Sequence, residues 1–259
     1  MLHIKKHRRC TGFIREMMQI GHQIVSIELF AQPTAEQPAY QPVLLWDETG
    51  ATLVDTGNVG QFDQVQKAIA EAGLTLNDIK RVILTHQDID HIGNVSRLLE
   101  ANPGIEIWAH EDDIPVITGQ EPLIKVTPER LAQMPEAVRE AVQNVLDERS
   151  SISISRVLHD GDHLELHGGI QVIHTPGHTP GHICLYLPKE KLLLAADELT
   201  IREGELQGPV PGFTPNMAQA IESMGKLADL PLDGVFCYHG GLYNKSPNER
   251  IREIIQSHR

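Results

Sequence analysis

Two histidines and two aspartates crowd into the six residues "HQDIDH", 86–91, shortly after the apolar run "RVIL". Three further groups of the same chemistry follow: "TPGHTPGH" at 175–182, "AADE" at 195–198 and "CYHGG" at 237–241. Each stands directly after, or beside, an apolar stretch of strand character. Imidazoles and carboxylates at this density are costly to bury unpaired, and a divalent metal offsets that cost by taking up their lone pairs. A lone histidine is more often a satisfied core or surface residue than a ligand. The grouping and order of these residues point to metal binding.

Side chains so far apart in the chain need elements that bring them together. Strand ends do this, because the strand fixes the backbone while the loop presents the side chains. "QIVSIELF", "PVLLW" and "ATLVDTG", with a turn at "DETG", predict an antiparallel meander. Phe62, Val65, Ile69 and Ala72 recur at helical spacing, with Gly73 as a stop. Strand "RVILT", helix "NVSRLLEAN" and strand "IEIWAH" complete a βαβαβ run. Residues 127–149 read as a helix starting at Thr127 and Pro128, with Val138, Val142, Val145 and Leu146 on one side, inside an insertion around 118–150 that covers part of the pocket. Strands resume at "SRVL", "HLELH", "IQVIH", "HICLYL" and "KLLLAA". A helix over about 216–228 turns Met217, Ile221, Met224 and Leu227 inward. After strand "GVFCY" a closing helix is expected to take Ser246 as N-cap and Glu249 as its reciprocal partner. Two sets of strands followed by helices, packed sheet to sheet, predict an α/β (α+β) four-layer αββα sandwich in a single domain over residues 22–259.

A chain of 259 residues, 41% hydrophobic, can fill a sizeable core. Its formal charge of -13 argues against nucleic acid or an anionic membrane as partner and leaves a small-molecule substrate. Nothing fixes an oligomeric state. Cys10, Cys184 and Cys237 form no CxxC pair, which fits reduced thiols and a cytoplasmic setting. Residues 1–21 are basic without a signal-peptide core and are expected to be a loosely attached arm, or sequence read from an early start codon ahead of Met17 or Met18.

In their order, these motifs resemble the metallo-β-lactamase superfamily, the fold of glyoxalase II and many lactonases. That family reads HxHxDH, then Gly-His in a loop, an Asp ending a strand and a late His, all after an early strand ending in Asp. Here "LVDTG", "THQDIDH", "TPGHTPGH", "AADE" and "YHGG" match these elements over roughly residues 22–245. The resemblance implies two divalent ions, zinc first and manganese or iron as alternatives. One would be held by His86, Asp88 and His178 and the other by Asp90, His91 and His239, with Asp197 bridging and a hydroxide between the ions. Asp55 would orient ligands from behind, and His182 would be structural or support the ligands. Asp90 would also accept a proton, or return one to the leaving group, as the catalytic residue. His91 is expected beside a helix N-terminus, whose dipole disfavours the imidazolium.

Asp88 departs from the pattern, since the family usually has His there. Asp also favours turns and helix starts, so Asp88 equally suits a turn cap beside a single metal. As a ligand, it would lower the net charge of the centre by one, weaken its Lewis acidity and make manganese or iron more acceptable. The flavodiiron branch of the family carries a carboxylate, Glu, at the corresponding position. The implied activity is hydrolysis of a small ester, thioester or lactone. The alternatives are an iron-dependent redox enzyme, persulfide dioxygenase-like or flavodiiron-like, and a phosphodiesterase. The motifs encode the nucleophile and not the group it attacks. Among the remaining histidines, His159, His163 and His167 read as solvated, His174 as a support for the ligands and His110 as a residue of the pocket rim. Tyr243 suits either substrate contact or packing, and Cys237 suits a buried structural thiol.

Overall fold

The computed structural model describes residues 17–31, 35 and 39–258. Seven strands form the first sheet in sequential order: β1 (Met18–Gly21), β2 (Ile24–Ser26), β3 (Val43–Asp47), β4 (Gly50–Val54), β5 (Ile79–Ile83), β6 (Glu106–His110) and β7 (Ile154–Leu158). The meander β1 to β4 is antiparallel, and β4 to β7 are parallel. The parallel strands need crossovers, supplied by α1 (Phe62–Glu71), then α2 (Ile89–Ile92) with α3 (Val95–Ala101), and finally α4 (Ile114–Ile117), α5 (Pro128–Gln133) and α6 (Glu136–Glu148).

Further strands are β8 (His163–Leu164), β9 (Ile170–His174), β10 (Ile183–Leu187), β11 (Leu192–Ala196), β12 (Thr200–Arg202), β13 (Glu205–Gln207), β14 (Gly234–Cys237) and β15 (Gly241–Tyr243). Six of them make the second sheet, ordered β15-β14-β11-β10-β9-β8, while β12 and β13 pair as a ribbon. Helices α7 (Met217–Met224) and α8 (Pro247–Ser257) cover that sheet.

Strand periodicity explains the layers. Adjacent buried residues point to opposite faces, so Leu44 and Leu45, Leu53 and Val54, and Val82 and Ile83 divide between two cores. Leu44, Leu53 and Val82 meet Val65, Ile69, Val95 and Leu98 of α1 and α3. Their neighbours meet Leu185, Leu194 and Phe236 of the second sheet. Beyond it, Leu193, Val235 and Cys237 pack on Met224, Ile251 and Ile254 of α7 and α8. Three cores between four layers make the αββα sandwich.

Several local expectations change. The arm boundary moves, because Met18–Gly21 is the edge strand β1; residues 1–16, with Cys10, lie outside the described residues. Pro135 divides 127–149 into α5 and α6, and Val138 is 44% exposed while Val142 and Val145 are buried. Thr127 does cap α5, accepting from the Arg130 N–H. Ser246 precedes α8 with a left-handed φ of 50° and makes no side-chain cap, so its predicted box with Glu249 does not form. A reciprocal box joins Thr75 and Asp78 instead. Helix α7 stops at Met224, well short of residue 228, yet Leu227 is still buried.

The strands that matter for chemistry end on one edge. Asp55 follows β4, His86 lies just beyond β5, Asp197 follows β11 and His239 lies just beyond β14. The Ile183 N–H donates to the Thr85 carbonyl at 2.9 Å, tying the second sheet to the loop after β5. Two strand ends adopt left-handed backbone with ordinary side chains, Asp55 at φ 60° and Ala196 at φ 47°.

Candidate metal centre

All seven predicted ligands converge at this edge, in two groups whose donor atoms lie within 4.8 Å of one another: His86, Asp88, His178 and Asp197, then Asp90, His91 and His239. Asp197 faces both. Its Oδ2 is 3.4 Å from His178 Nε2, while its Oδ1 is 3.4 Å from His91 Nε2 and 3.6 Å from His239 Nε2. Asp88 Oδ2 lies 3.4 Å from His86 Nε2 and 3.1 Å from His178 Nε2. Asp90 Oδ2 lies 3.4 Å from His239 Nε2. His86, His91 and His178 are buried, whereas the His239 side chain is 33% exposed and marks the open side.

The four imidazoles share one device. Each has Nδ1 against a protein oxygen, and each turns Nε2 towards the centre. His91 Nδ1 meets Asp55 Oδ2 at 2.9 Å, and His239 Nδ1 meets the Ala39 carbonyl at 2.8 Å. His178 Nδ1 meets Thr214 Oγ1 at 3.3 Å, and His86 Nδ1 meets Thr85 Oγ1 at 3.1 Å. The Thr85 hydroxyl donates to Asp55 at 2.7 Å, so it accepts from His86. Asp55 therefore stands behind two of these imidazoles, touching His91 directly and His86 through Thr85. His182 is held by Thr175 Oγ1 at 2.8 Å and accepts the Asp197 N–H at 3.2 Å, which places it against the backbone of that aspartate.

Both glycines of "TPGHTPGH" have steric reasons. Gly177 has φ 136°, and a Cβ there would overlap the Ala220 backbone nitrogen of α7. A Cβ on Gly181 would come within 2.6 Å of the Asp113 nitrogen. The Asp113 carboxylate accepts from the Gln87 N–H at 2.9 Å, the Thr179 hydroxyl at 2.7 Å and the Gly181 N–H at 2.8 Å. This one buried side chain fastens the 86–91 loop to the 175–182 loop.

The donor set fits divalent cations. His86 Nε2, His91 Nε2 and Asp197 Oδ1 are buried and have no hydrogen-bond partner, although such orphaned atoms are costly. Asp88 holds the N-cap position of α2 but makes no side-chain cap; its carboxylate faces His86, His178 and Lys125 instead. Charge is shared unevenly. Burial opposes ionisation of Asp88, yet His86, His178 and Lys125 hold its carboxyl well below the usual range. Burial and the nearby His91 lower the proton affinity of His86. His91 goes the other way: burial is outweighed by Asp55, Asp90 and Asp197, which push it up to about 10. The expected helix-dipole effect is thus overridden; His91 also sits in the last turn of α2 rather than at a helix start. His239 is likewise raised well above its ordinary value, with Asp197 and Asp90 overcoming burial.

Some participants carry no motif of their own. The Lys125 ammonium lies 2.6 Å from Asp88 Oδ2 and 2.7 Å from His178 Nε2. Tyr238 packs its ring on His91, centroids 3.9 Å apart, and donates its hydroxyl to the Asp90 carbonyl at 2.5 Å. The tyrosine singled out from sequence, Tyr243, is a packing residue of the outer core, as is Cys237. Glu198, beside Asp197, is buried with neither carboxyl oxygen hydrogen-bonded, and burial pushes its carboxyl well up. His174 does not support the centre; it stacks on His110 at 3.8 Å with Asp112 nearby. His159 and His163 are exposed as expected, but His167 is buried beside Glu190.

Residues 41–239 match the family model of the metallo-beta-lactamase superfamily. The chain belongs to that superfamily. Its relatives include the Bacillus subtilis "Probable metallo-hydrolase YflN", 32% identical over 62% of this chain and 64% of that protein, so the chain spans slightly less than two thirds of that relative. A Cupriavidus metallidurans "Hydroxyacylglutathione hydrolase" is 30% identical over 85% of this chain and 70% of its own length. Among solved structures, the metallo-beta-lactamase family protein TTHA1429 of Thermus thermophilus superposes with a TM-score of 0.69 at 24% identity, covering 91% of this chain and 79% of its own. Divalent metal ions are the cofactors this family implies. Among the described residues, no helix is long and apolar enough to cross a membrane.

Proposed function

We propose that this hydrolase cleaves a small ester, thioester or lactone at a two-metal centre, with zinc as the ion best suited to four imidazoles and three carboxylates. The observation that carries this reading is Asp197, which offers one oxygen to each ligand group. His86, Asp88 and His178 would hold one ion, and Asp90, His91 and His239 the other. When bound, divalent ions there supply Lewis acidity to a carbonyl and activate water near neutral pH. The Nδ1 contacts to Thr85, Asp55, Thr214 and Ala39 keep the imidazoles aimed at one point, so little reorganisation is needed when substrate arrives. Asp90, with its side chain 20% exposed next to His239, is placed to return a proton to the leaving group. Tyr238 holds the Asp90 backbone in register. The relatives named metallo-hydrolase and hydroxyacylglutathione hydrolase support hydrolysis at an acyl group. We infer a reducing, cytoplasmic setting from Cys184 and Cys237, both buried free thiols.

Elemental analysis of the purified protein, together with a panel of one aryl ester, one lactone and one thioester, tests the proposal. Two divalent ions per chain and turnover of at least one of the three are expected. Asp88 favours a second reading, because a harder oxygen donor suits iron. An iron-loaded protein that consumes oxygen and hydrolyses nothing in the panel overturns the hydrolase in favour of a redox enzyme. Faster cleavage of bis-p-nitrophenyl phosphate than of any panel member overturns it in favour of a phosphodiesterase.

A further inference from the structure

We propose that the cleft beside the His86, Asp88 and His178 group is a subsite for an anionic group on the substrate, carboxylate or phosphate, held by Lys125 and Arg130. This deepens the hydrolase reading and rests on it. The cleft measures about 230 Å³, and its lining includes Lys125, Thr127, Arg130, Phe213 and Thr214. None of its lining residues is acidic, in a chain whose net charge is -13, and of its two cations Lys125 is paired with Asp88 from the side of the centre. The cleft adjoins the centre directly. Thr214 Oγ1 touches His178 Nδ1 at 3.3 Å, and Lys125 Nζ touches His178 Nε2 at 2.7 Å.

The insertion is built to present these groups. Ile124 donates its N–H to Gln87 Oε1 at 3.3 Å, which fastens the segment to the loop carrying His86. Arg130 Nη1 donates to the Lys125 carbonyl at 3.0 Å, and its guanidinium lies 5.9 Å from the Phe213 ring centroid across the cleft. The Lys125 side chain is 10% exposed and its ammonium pairs with Asp88 at 2.6 Å, a contact that little water screens. His178 Nε2 has one lone pair, which an ammonium and a metal ion cannot both use. With a metal ion on His178, the flexible lysine would have to leave Nε2, and the adjoining cleft, whose other cation is Arg130, is where it would turn. A substrate anion there completes the ion pairing that Asp88 provides to Lys125 in this structure.

The test compares p-nitrophenyl hemiglutarate with neutral p-nitrophenyl butyrate on the zinc-loaded protein, in wild type, Lys125→Gln and Arg130→Gln. Arg130 is exposed, so its variant tests the subsite without touching the core. The wild type should prefer the anionic ester, and the ratio of kcat/KM values should fall about tenfold in Lys125→Gln and about threefold in Arg130→Gln, mainly through KM. An unchanged ratio in both variants overturns the subsite. Calorimetry with glutarate and with inorganic phosphate provides an independent readout and distinguishes the two anions. Weaker binding of either in both variants supports the subsite even if neither ester turns over, an outcome that would remove only the hydrolase reading. Equal binding of both anions in all three proteins overturns it.

Discussion

The two ligand groups that meet at Asp197 balance their carboxylates with different cations. At the first group, Lys125 reaches Asp88 and His178 from the segment between α4 and α5, and His86 binds protons poorly. At the second, no lysine or arginine among the described residues lies within ion-pair distance of Asp90, and protons on His91 and His239 do the balancing. A metal ion entering the first group would displace an ammonium; one entering the second would displace protons. Equal coordination chemistry thus comes with unequal pH dependence.

The most damaging test of this contrast removes what the groups share. Asp197→Asn, nearly isosteric, should lower kcat/KM by about a thousandfold or more and reduce bound metal below two ions per chain. Retention of both ions with near-normal turnover would show that the groups do not depend on a common carboxylate. Next is pH. His91 is raised from 6.5 to about 10 in the folded chain, so its contribution to the stability of chelator-treated protein is fully present below about pH 6.5 and is lost as pH rises through about 10. Metal affinity at its group should rise over the same window, by about tenfold per pH unit for each proton released, while the first group changes less. Equilibrium dialysis at several pH values, fitted to two sites, would reveal parallel slopes if the contrast is false.

A smaller effect sharpens the comparison from behind the ligands. Asp55→Asn should weaken metal binding about 10- to 100-fold at the His91 group, and less at His86, which Asp55 reaches only through Thr85. Equal losses at both sites in the dialysis assay would argue that Asp55 supports the fold rather than a ligand. Smallest is the expected effect of Asp88→His, which adds one positive charge to the centre by removing a carboxylate. The acid limb of the pH–rate profile should move down by about one unit. A profile that stays in place would remove Asp88 from the charge balance.

Legibility in the sequence followed the range of the interaction. The layers were readable because strand alternation and helical spacing are local, and Leu44 and Leu45 announce two cores by adjacency alone. The candidate ligands were named through the family resemblance, whose motifs are short and sit within a few residues of a strand end. Lys125, Asp113 and Tyr238 were not, since each acts on partners far away in the chain: Lys125 on Asp88, Asp113 on Thr179, Tyr238 on Asp90. The raised proton affinity of His91 has the same long-range origin, as Asp55 and Asp197 come from other strands. Ser246 makes no cap because its backbone is left-handed, where an N-cap residue is typically extended.

The left-handed backbone at Ala196 has an evolutionary consequence. Glycine, asparagine or alanine can occupy that torsion at modest cost, but valine or isoleucine, common elsewhere along buried strands, would be strained there. Mutational drift at the end of β11 is therefore funnelled through a handful of small or amide side chains, and directed libraries that randomise the neighbourhood of Asp197 should leave this hinge of the backbone alone.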